Sequence, residues 1–261
     1  MIPYLEPPSL SFGPFHLQVF GLFAAAGVYA GAVIASRAAR RQGLAVEPLA
    51  DFAVWGVASG VLFGHLVHLF LYHPEELSDW RKVVEFWQGL SSFGGLLGGI
   101  LAAAVFFHRR RLRFHDYGDA LALGVAPGWG IARLGCFAIH DHPGVHTDFP
   151  LAVAFPDGPR HDLGLYDAVV LFALAALLFQ LSRRGILRGR LLAVLAALYA
   201  VCRFLLDFLR ASDVPYPDAR YFGLTPAQYG SMLLVAYAAW RFSKVASAPL
   251  GQQGRASGAG R

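Results

Sequence analysis

Seven runs of mainly apolar residues recur along the chain, at positions 15–36, 49–72, 91–108, 117–137, 165–181, 191–209 and 226–242. A helix needs about 20 such residues to cross the hydrocarbon core of a bilayer, and each run meets or approaches that length. The pattern predicts an all-α integral membrane protein with seven transmembrane helices. Its polar connectors differ by side. Arg37, Arg40 and Arg41 follow the first run, Arg109, Arg110, Arg111 and Arg113 the third, Arg183, Arg184, Arg188 and Arg190 the fifth, and Arg241, Lys244, Arg255 and Arg261 the seventh. The other connectors hold only Arg81, Lys82, Arg160 and Arg220, among acids such as Glu75, Glu76, Asp79, Glu85, Asp148 and Asp157. Because basic loops stay in the cytoplasm, the N-terminus is expected outside and the C-terminus inside, in a multi-pass membrane protein.

Composition then narrows the class. Only 15% of the 261 residues are charged and 56% are apolar, with a mean hydropathy of +0.48. Soluble domains carry about 25% charged residues, so an ordinary soluble enzyme is excluded, as is a disordered chain. Two cysteines rule out a disulfide scaffold. The net charge of +5 suggests a polyanionic partner until the charges are placed. Fifteen of the 22 basic residues fall on the cytoplasmic side, so the excess is a topology signal and nucleic acid is not an expected partner. The N-terminal 14 residues lack a basic segment and a cleavage site, so the first run is expected to stay in the membrane. Residues 1–246 read as one membrane domain, and 247–261 as a flexible cytoplasmic tail.

Polar groups at membrane depth are expensive and mark candidate function. Tyr199, Arg203, Asp207 and Arg210 are spaced four, four and three apart in the sixth run. At about 100° per residue they share roughly an 80° arc of one helix. Arg203 and Asp207 form either a structural ion pair or part of a wetted cavity that offers an Arg fork to a lipid phosphate. Arg210, near the outer end, is either a third member of that site or a residue that snorkels to the surface. Arg133 near the end of the fourth run is a second such arginine. The following connector holds His140, Asp141, His142, His146, Asp148, His161 and Asp162. Histidine and carboxylate suit zinc, but the spacing matches no zinc signature and no metal is expected. One imidazole acting as general base is the simpler functional reading; a solvated loop with Asp141 and Asp162 capping turns is the plain one. His65 and His68, with Tyr72 a turn later, rank second. Gly94 with Gly98, and Gly95 with Gly99, allow close helix approach, while Gly94 and Gly95 at a helix start also offer N–H groups to an anion.

Taken in order, several segments resemble the bacterial prolipoprotein diacylglyceryl transferase family. They are Ser92-Phe93-Gly94-Gly95, Arg133-Leu134-Gly135-Cys136-Phe137 running on to Gly144, Arg160-His161-Asp162-Leu163-Gly164-Leu165-Tyr166-Asp167, Tyr199-x-x-x-Arg203-Phe204-x-x-Asp207-Phe208-x-Arg210, and Leu224-Thr225-Pro226-Ala227-Gln228-Tyr229-Gly230-Ser231. The likeness spans about residues 12–242. It implies transfer of a diacylglyceryl group from phosphatidylglycerol, or a related phospholipid, to the lipobox cysteine of a prolipoprotein signal peptide at the outer face of the membrane, with no cofactor. The resemblance maps Arg133 and Arg203 to phosphate-binding arginines and Asp207 to their acidic partner. Tyr199, Gly144, Gly94, Gly95, Arg210 and His161 map to the substrate site. The chain departs from the family at Phe93, where a histidine is usual, at Cys136 in place of an asparagine, and at Phe20 in place of a tyrosine. His142 or His140 is then the expected base. The alternatives are a related phospholipid-modifying enzyme, or a paralogue that binds lipid or a membrane partner without catalysis.

Overall fold

The computed structural model describes residues 1–6, 10–12, 15–17, 19–85, 89–215 and 217–246; the expected tail at 247–261 lies outside them. Three short strands, β1 (Ile2–Pro3), β2 (Leu10–Phe12) and β3 (Phe15–Leu17), precede helix α1 (Val19–Arg41). Helix α2 (Glu47–Val67) continues as a π-helical turn, His68–Tyr72, and is followed by a 3-10 turn, Pro74–Ser78, and the one-turn helix α3 (Trp80–Val84). Helices α4 (Ser92–Arg109) and α5 (Phe114–Ile139) lead into strands β4 (Pro143–His146), β5 (Val153–Phe155) and β6 (Gly158–Asp162). Helices α6 (Leu163–Arg183) and α7 (Leu191–Leu206) follow. A 3-10 turn, Asp207–Leu209, extends α7, and α8 (Pro226–Ala246) closes the described chain.

Each apolar run contains a helix. Among the described residues, five helical segments are long and apolar enough to cross a membrane: Val19–Arg41, Glu47–Leu71, Phe114–Ile139, Leu163–Arg183 and Leu191–Leu209, with Gly94–Arg109 a shorter apolar helix. Helix α8 is 21 residues long, but Gln228, Ser231, Arg241 and Lys244 make it more polar.

The structure differs from the sequence expectation in two places. The first helix begins at Val19 rather than residue 15, because Phe15–Leu17 pairs antiparallel with Leu10–Phe12. The chain is also not purely α. The connector after α5 supplies three strands of a four-stranded sheet of order β1-β5-β6-β4, in which N-terminal β1 joins β5 in parallel and the other pairs are antiparallel.

Two helix crossings set the bundle, and both depend on missing side chains. A Cβ on Gly27 would stand 2.3 Å from the carbonyl oxygen of Gly128, and one on Gly124 would stand 2.3 Å from that of Gly31. Helices α1 and α5 therefore meet backbone to backbone through a Gly-x-x-x-Gly on each side. Helix α4 meets α2 in the same way, since Cβ atoms on Gly94 and Gly98 would lie 2.4 Å from the oxygens of Phe63 and Ser59. Gly99 faces open space, so only one of the two expected small-residue pairs lies in the interface. Between α5, α6 and α7 the core is Leu123, Leu171, Leu174, Leu178, Leu191 and Leu195. At the end remote from the sheet, buried Asp119 on α5 accepts N–H bonds from Gly189 (2.6 Å) and Leu191 (2.9 Å), which fixes the start of α7.

A Gly124→Val substitution is expected to force α1 and α5 apart at a cost of about 1–3 kcal/mol or more. A lowered unfolding temperature in detergent, with no such drop for Gly99→Ala, is the expected readout.

Candidate functional site

Helices α5, α6 and α7 each bring charge into the interior near the sheet end, and the charges alternate in sign. Arg133 Nε on α5 stands 3.2 Å from Asp167 Oδ2 on α6. The same oxygen accepts from Arg203 Nη1 at 2.7 Å. Arg203 Nη2 reaches Asp207 Oδ1 at 3.0 Å, and that atom also accepts from Arg210 Nε at 2.5 Å. Arg210 Nη1 then bonds Asp218. Asp167 and Asp207 have no exposed surface, while Arg133 and Arg203 keep 4% and 6%.

This arrangement follows from spacing and from the helix end. Arg203 and Asp207 are one turn apart, so the ion pair expected from the sequence forms. Arg210 pairs with Asp207 even though α7 gives way to a 3-10 turn at Asp207–Leu209; it is held inside the network rather than snorkelling. Thr225 closes the far side by donating its hydroxyl to Asp207 Oδ2. Gln228 supports Thr225 by accepting from its N–H at 2.9 Å, and donates to the Phe204 carbonyl at 3.1 Å.

Beside this chain of charges is a cavity of about 50 Å³ lined by Trp129, Arg133, Tyr199 and Arg203, together with Leu96 of α4 and Ser231 of α8. The Trp129 and Tyr199 rings pack 5.2 Å apart on its wall. Arg133 Nε and Asp167 Oδ1 are fully buried without a hydrogen-bond partner among the described residues. A small cavity with two guanidiniums and an unmade N–H bond is suited to an anionic oxygen.

The connector histidines separate into different roles. His140 ends α5 in the left-handed region (φ 50°). It lies 2.7 Å from Asp162 Oδ2 and stacks on Tyr4 at 4.5 Å. Asp162 is the N-cap of α6, taking the Leu165 N–H at 3.1 Å. The His140–Asp162 pair is buried on both sides and staples the end of α5 to the start of α6. His142 is half-buried, with Nδ1 bonded to the Asp141 carboxylate. Burial holds its pKa below the usual imidazole value, Arg133 and Arg210 add to that, and Asp141 opposes it. Arg133 Nη1 lies 3.7 Å from Cys136 Sγ, and Cys136 Sγ is within 4.8 Å of His142 and Asp141. His142 therefore sits at the edge of the arginine site.

Other sequence candidates lie outside the cavity lining. His161 Nδ1 is 2.9 Å from the Tyr166 hydroxyl, and burial lowers its pKa. Gly144 is where β4 passes tightly over Leu209 and His161: a Cβ there would lie 2.7 Å from each, and its carbonyl accepts from Arg160 at 3.1 Å. The Gly94 N–H bonds the Ser91 hydroxyl at 3.3 Å, and the Gly95 N–H bonds the Ser91 carbonyl at 2.9 Å, so the cap uses both donors. His65 Nε2 is 3.1 Å from the Val83 carbonyl, and His68 is 3.5 Å from Glu76; both address the 74–84 segment. Phe20 packs on Gly135. Phe93 belongs to the first turn of α4, and its side chain lies outside the described residues.

The residue that sequence reasoning missed is Asp167. Its signals were a carboxylate in the otherwise apolar run of α6 and its place at the end of the segment 160–167, and its partners are 34 and 36 positions away.

A family model described as prolipoprotein diacylglyceryl transferase matches residues 7–243. Similar proteins named phosphatidylglycerol–prolipoprotein diacylglyceryl transferase include one from Chromohalobacter salexigens, 32% identical over 245 residues, covering 90% of each chain. One from Geobacter sulfurreducens is 34% identical over 223 residues, covering 81% of this chain and 84% of the relative. Another from Nitratidesulfovibrio vulgaris strain DP4 is 31% identical over 251 residues, covering 91% and 94%.

Removing Asp167 leaves two buried guanidiniums without their shared partner, which is expected to cost about 3–5 kcal/mol. Thermal unfolding in detergent should show Asp167→Ala well below Asp167→Asn, whose amide oxygen still accepts. An Asp167→Ala protein as stable as the unsubstituted chain would contradict the ion-pair assignment.

Proposed function

The chain belongs to the prolipoprotein diacylglyceryl transferase family, and we propose that it transfers the diacylglyceryl group of phosphatidylglycerol to the lipobox cysteine thiol of a prolipoprotein. The observation that carries this reading is the pair of guanidiniums, Arg133 and Arg203, lining one cavity near a largely buried imidazole, His142. Arg133 and Arg203 hold the phosphate of the lipid, with Tyr199 on the same wall. Asp167 and Asp207 keep both guanidiniums oriented, and Arg210 with Thr225 keeps Asp207 in place. Gly144 lets β4 close over this end of the site.

In the reaction, His142 takes the proton of the acceptor thiol through the nitrogen that Asp141 leaves free. The thiolate is the reactive form of cysteine. Its sulfur attacks the glyceryl carbon that carries the phosphate ester. A carbon–sulfur bond forms, the carbon–oxygen bond breaks, and the oxygen leaves with the electron pair as glycerol phosphate. The departing phosphate gains negative charge as this happens. Fixed guanidiniums in a site of low dielectric stabilise that change without having to reorganise. His140, committed to Asp162 and Tyr4, positions the turn that carries His142.

In this reading all seven long helices cross the inner membrane, with the sheet end outside and the C-terminus in the cytoplasm. Support comes from the basic residues at the other end of the helices, Arg40 and Arg41 of α1, Arg109 of α4, Arg183 of α6 and Lys244 of α8. The acyl chains reach the cavity laterally from the bilayer, and the prolipoprotein signal peptide approaches within the same leaflet. One observation favours a noncatalytic, lipid-binding role: every guanidinium of the charge network already faces a carboxylate.

The two readings separate in an assay with purified protein, phosphatidylglycerol and a lipobox peptide. Thioether formation is expected, and His142→Ala should slow it about 10²–10⁴-fold, the usual contribution of a positioned base. Arg203→Lys keeps the charge but loses the fork, and should weaken lipid use. No product with the unsubstituted chain supports the binding role, and full activity in His142→Ala removes that residue as base.

A further inference from the structure

One cluster at the edge of the site joins the proposed base to a buried thiol, Cys136, that diacylglyceryl transfer leaves unused. Cys136 Sγ, a ring nitrogen of His142 and a carboxylate oxygen of Asp141 all lie within 4.8 Å of one another. We propose that these three residues form a site for a soft divalent cation of the zinc type, and that a bound ion blocks His142. The second half of this statement rests on His142 being the base.

The donor set is a thiolate, an imidazole and a carboxylate, which are the ligands zinc takes from proteins. The sulfur sets it apart from a magnesium or calcium site, where the ligands are oxygen. Thiolate and carboxylate together balance the charge of a divalent ion. Three protein donors leave a fourth tetrahedral position for water, the pattern of an open site.

The donors are brought together locally. All three come from seven consecutive residues, 136–142, at the end of α5. His140 in the left-handed region reverses the chain, so that the Asp141 N–H returns to the Cys136 carbonyl at 3.4 Å. Asp162 at 2.7 Å and the Tyr4 ring at 4.5 Å hold His140 in that conformation. The turn is thus preformed whether or not an ion is present. Bond lengths of about 2.0–2.3 Å put tetrahedral zinc ligands roughly 3.5 Å apart, so donors already within 4.8 Å of one another need to adjust by about 1 Å. The Asp141 side chain is 35% exposed and that of His142 14%, so both can turn inward while Cys136 stays buried.

Arg133 is the neighbouring charge that opposes a cation, with Nη1 3.7 Å from Cys136 Sγ. Its charge is already met by Asp167 at 3.2 Å, and Arg210 is met by Asp207 and Asp218. Metal binding therefore costs Arg133 one weak contact to sulfur and leaves its ion pair intact.

The test uses the full chain in detergent, stripped with chelator and titrated with cobalt and then zinc. One equivalent of cobalt should give a near-ultraviolet sulfur-to-metal charge-transfer band. Cys136→Ser should abolish the band and weaken zinc at least tenfold by calorimetry. Asp141→Asn, at an exposed position with no packing role, should keep the band and weaken zinc several-fold. Cys202→Ser should change neither. A band that survives Cys136→Ser, no band at all, or magnesium bound as tightly as zinc would overturn the site. Zinc at the concentration that fills the site should also slow transfer, and Cys136→Ser should raise the inhibiting concentration by the same factor as it weakens binding. Zinc that binds as described but leaves the rate unchanged or raised overturns the block. A chain with no transfer activity before zinc is added overturns the proposed function, while the cobalt and calorimetric results still decide the site.

Discussion

The interior of this bundle is organised by the cost of placing arginine in an apolar medium. A lone charge there costs several kcal/mol, and the protein meets that cost with strict alternation: Arg133, Asp167, Arg203, Asp207, Arg210, Asp218. Each of the two fully buried carboxylates serves two guanidiniums. Because the members come from α5, α6, α7 and the segment before α8, the network fixes those elements relative to one another. It also fixes the cavity, since Arg133 and Arg203 are at once links of the chain and part of its wall. In the proposed role, a phosphate diester arriving there would not meet bare positive charge. It would share Arg133 and Arg203 with Asp167, at the contact where, among the described residues, Arg133 Nε and Asp167 Oδ1 make no hydrogen bond.

The glycine crossings give this network a rigid frame. Where α1 meets α5, and α2 meets α4, backbone oxygens occupy the space a Cβ would need, so neither pair can slide without a collision. Helix α8 is attached differently. It is held near the site through Thr225 and Gln228, which link its first turn to Asp207 and Phe204. The cavity lies between these regimes, with Leu96 from the glycine-packed α4 on one side and Ser231 from α8 on the other.

Much of this was legible in the sequence because it is local. Apolar runs and basic connectors marked the helices, and the turn-by-turn spacing of Tyr199, Arg203, Asp207 and Arg210 marked one polar stripe. Non-local features were not legible. Asp167 is a single acid among apolar residues, and only the fold brings it between Arg133 and Arg203. The sheet strands are two to five residues long, too short for an alternating pattern to stand out. The difference between His140 and His142 depends on a left-handed backbone residue and on Tyr4, far away in the chain. Gly27, Gly31, Gly124 and Gly128 were a readable signal for the α1–α5 crossing, at the same spacing as the glycines of α4.

The pairing of β1 with β5 bears on how the protein is made. Ile2 aligns with Val153, yet at about 5–20 residues per second a ribosome completes the second roughly 8–30 s after the first. During that interval the leading residues have no strand to join, and His140, which stacks on Tyr4, has not been synthesised either. The sheet, and with it the turn carrying His142, is completed only after α5 is in place. Assembly of this end of the molecule is therefore a late event of biogenesis, timed by the arrival of the connector rather than by the emergence of the N-terminus.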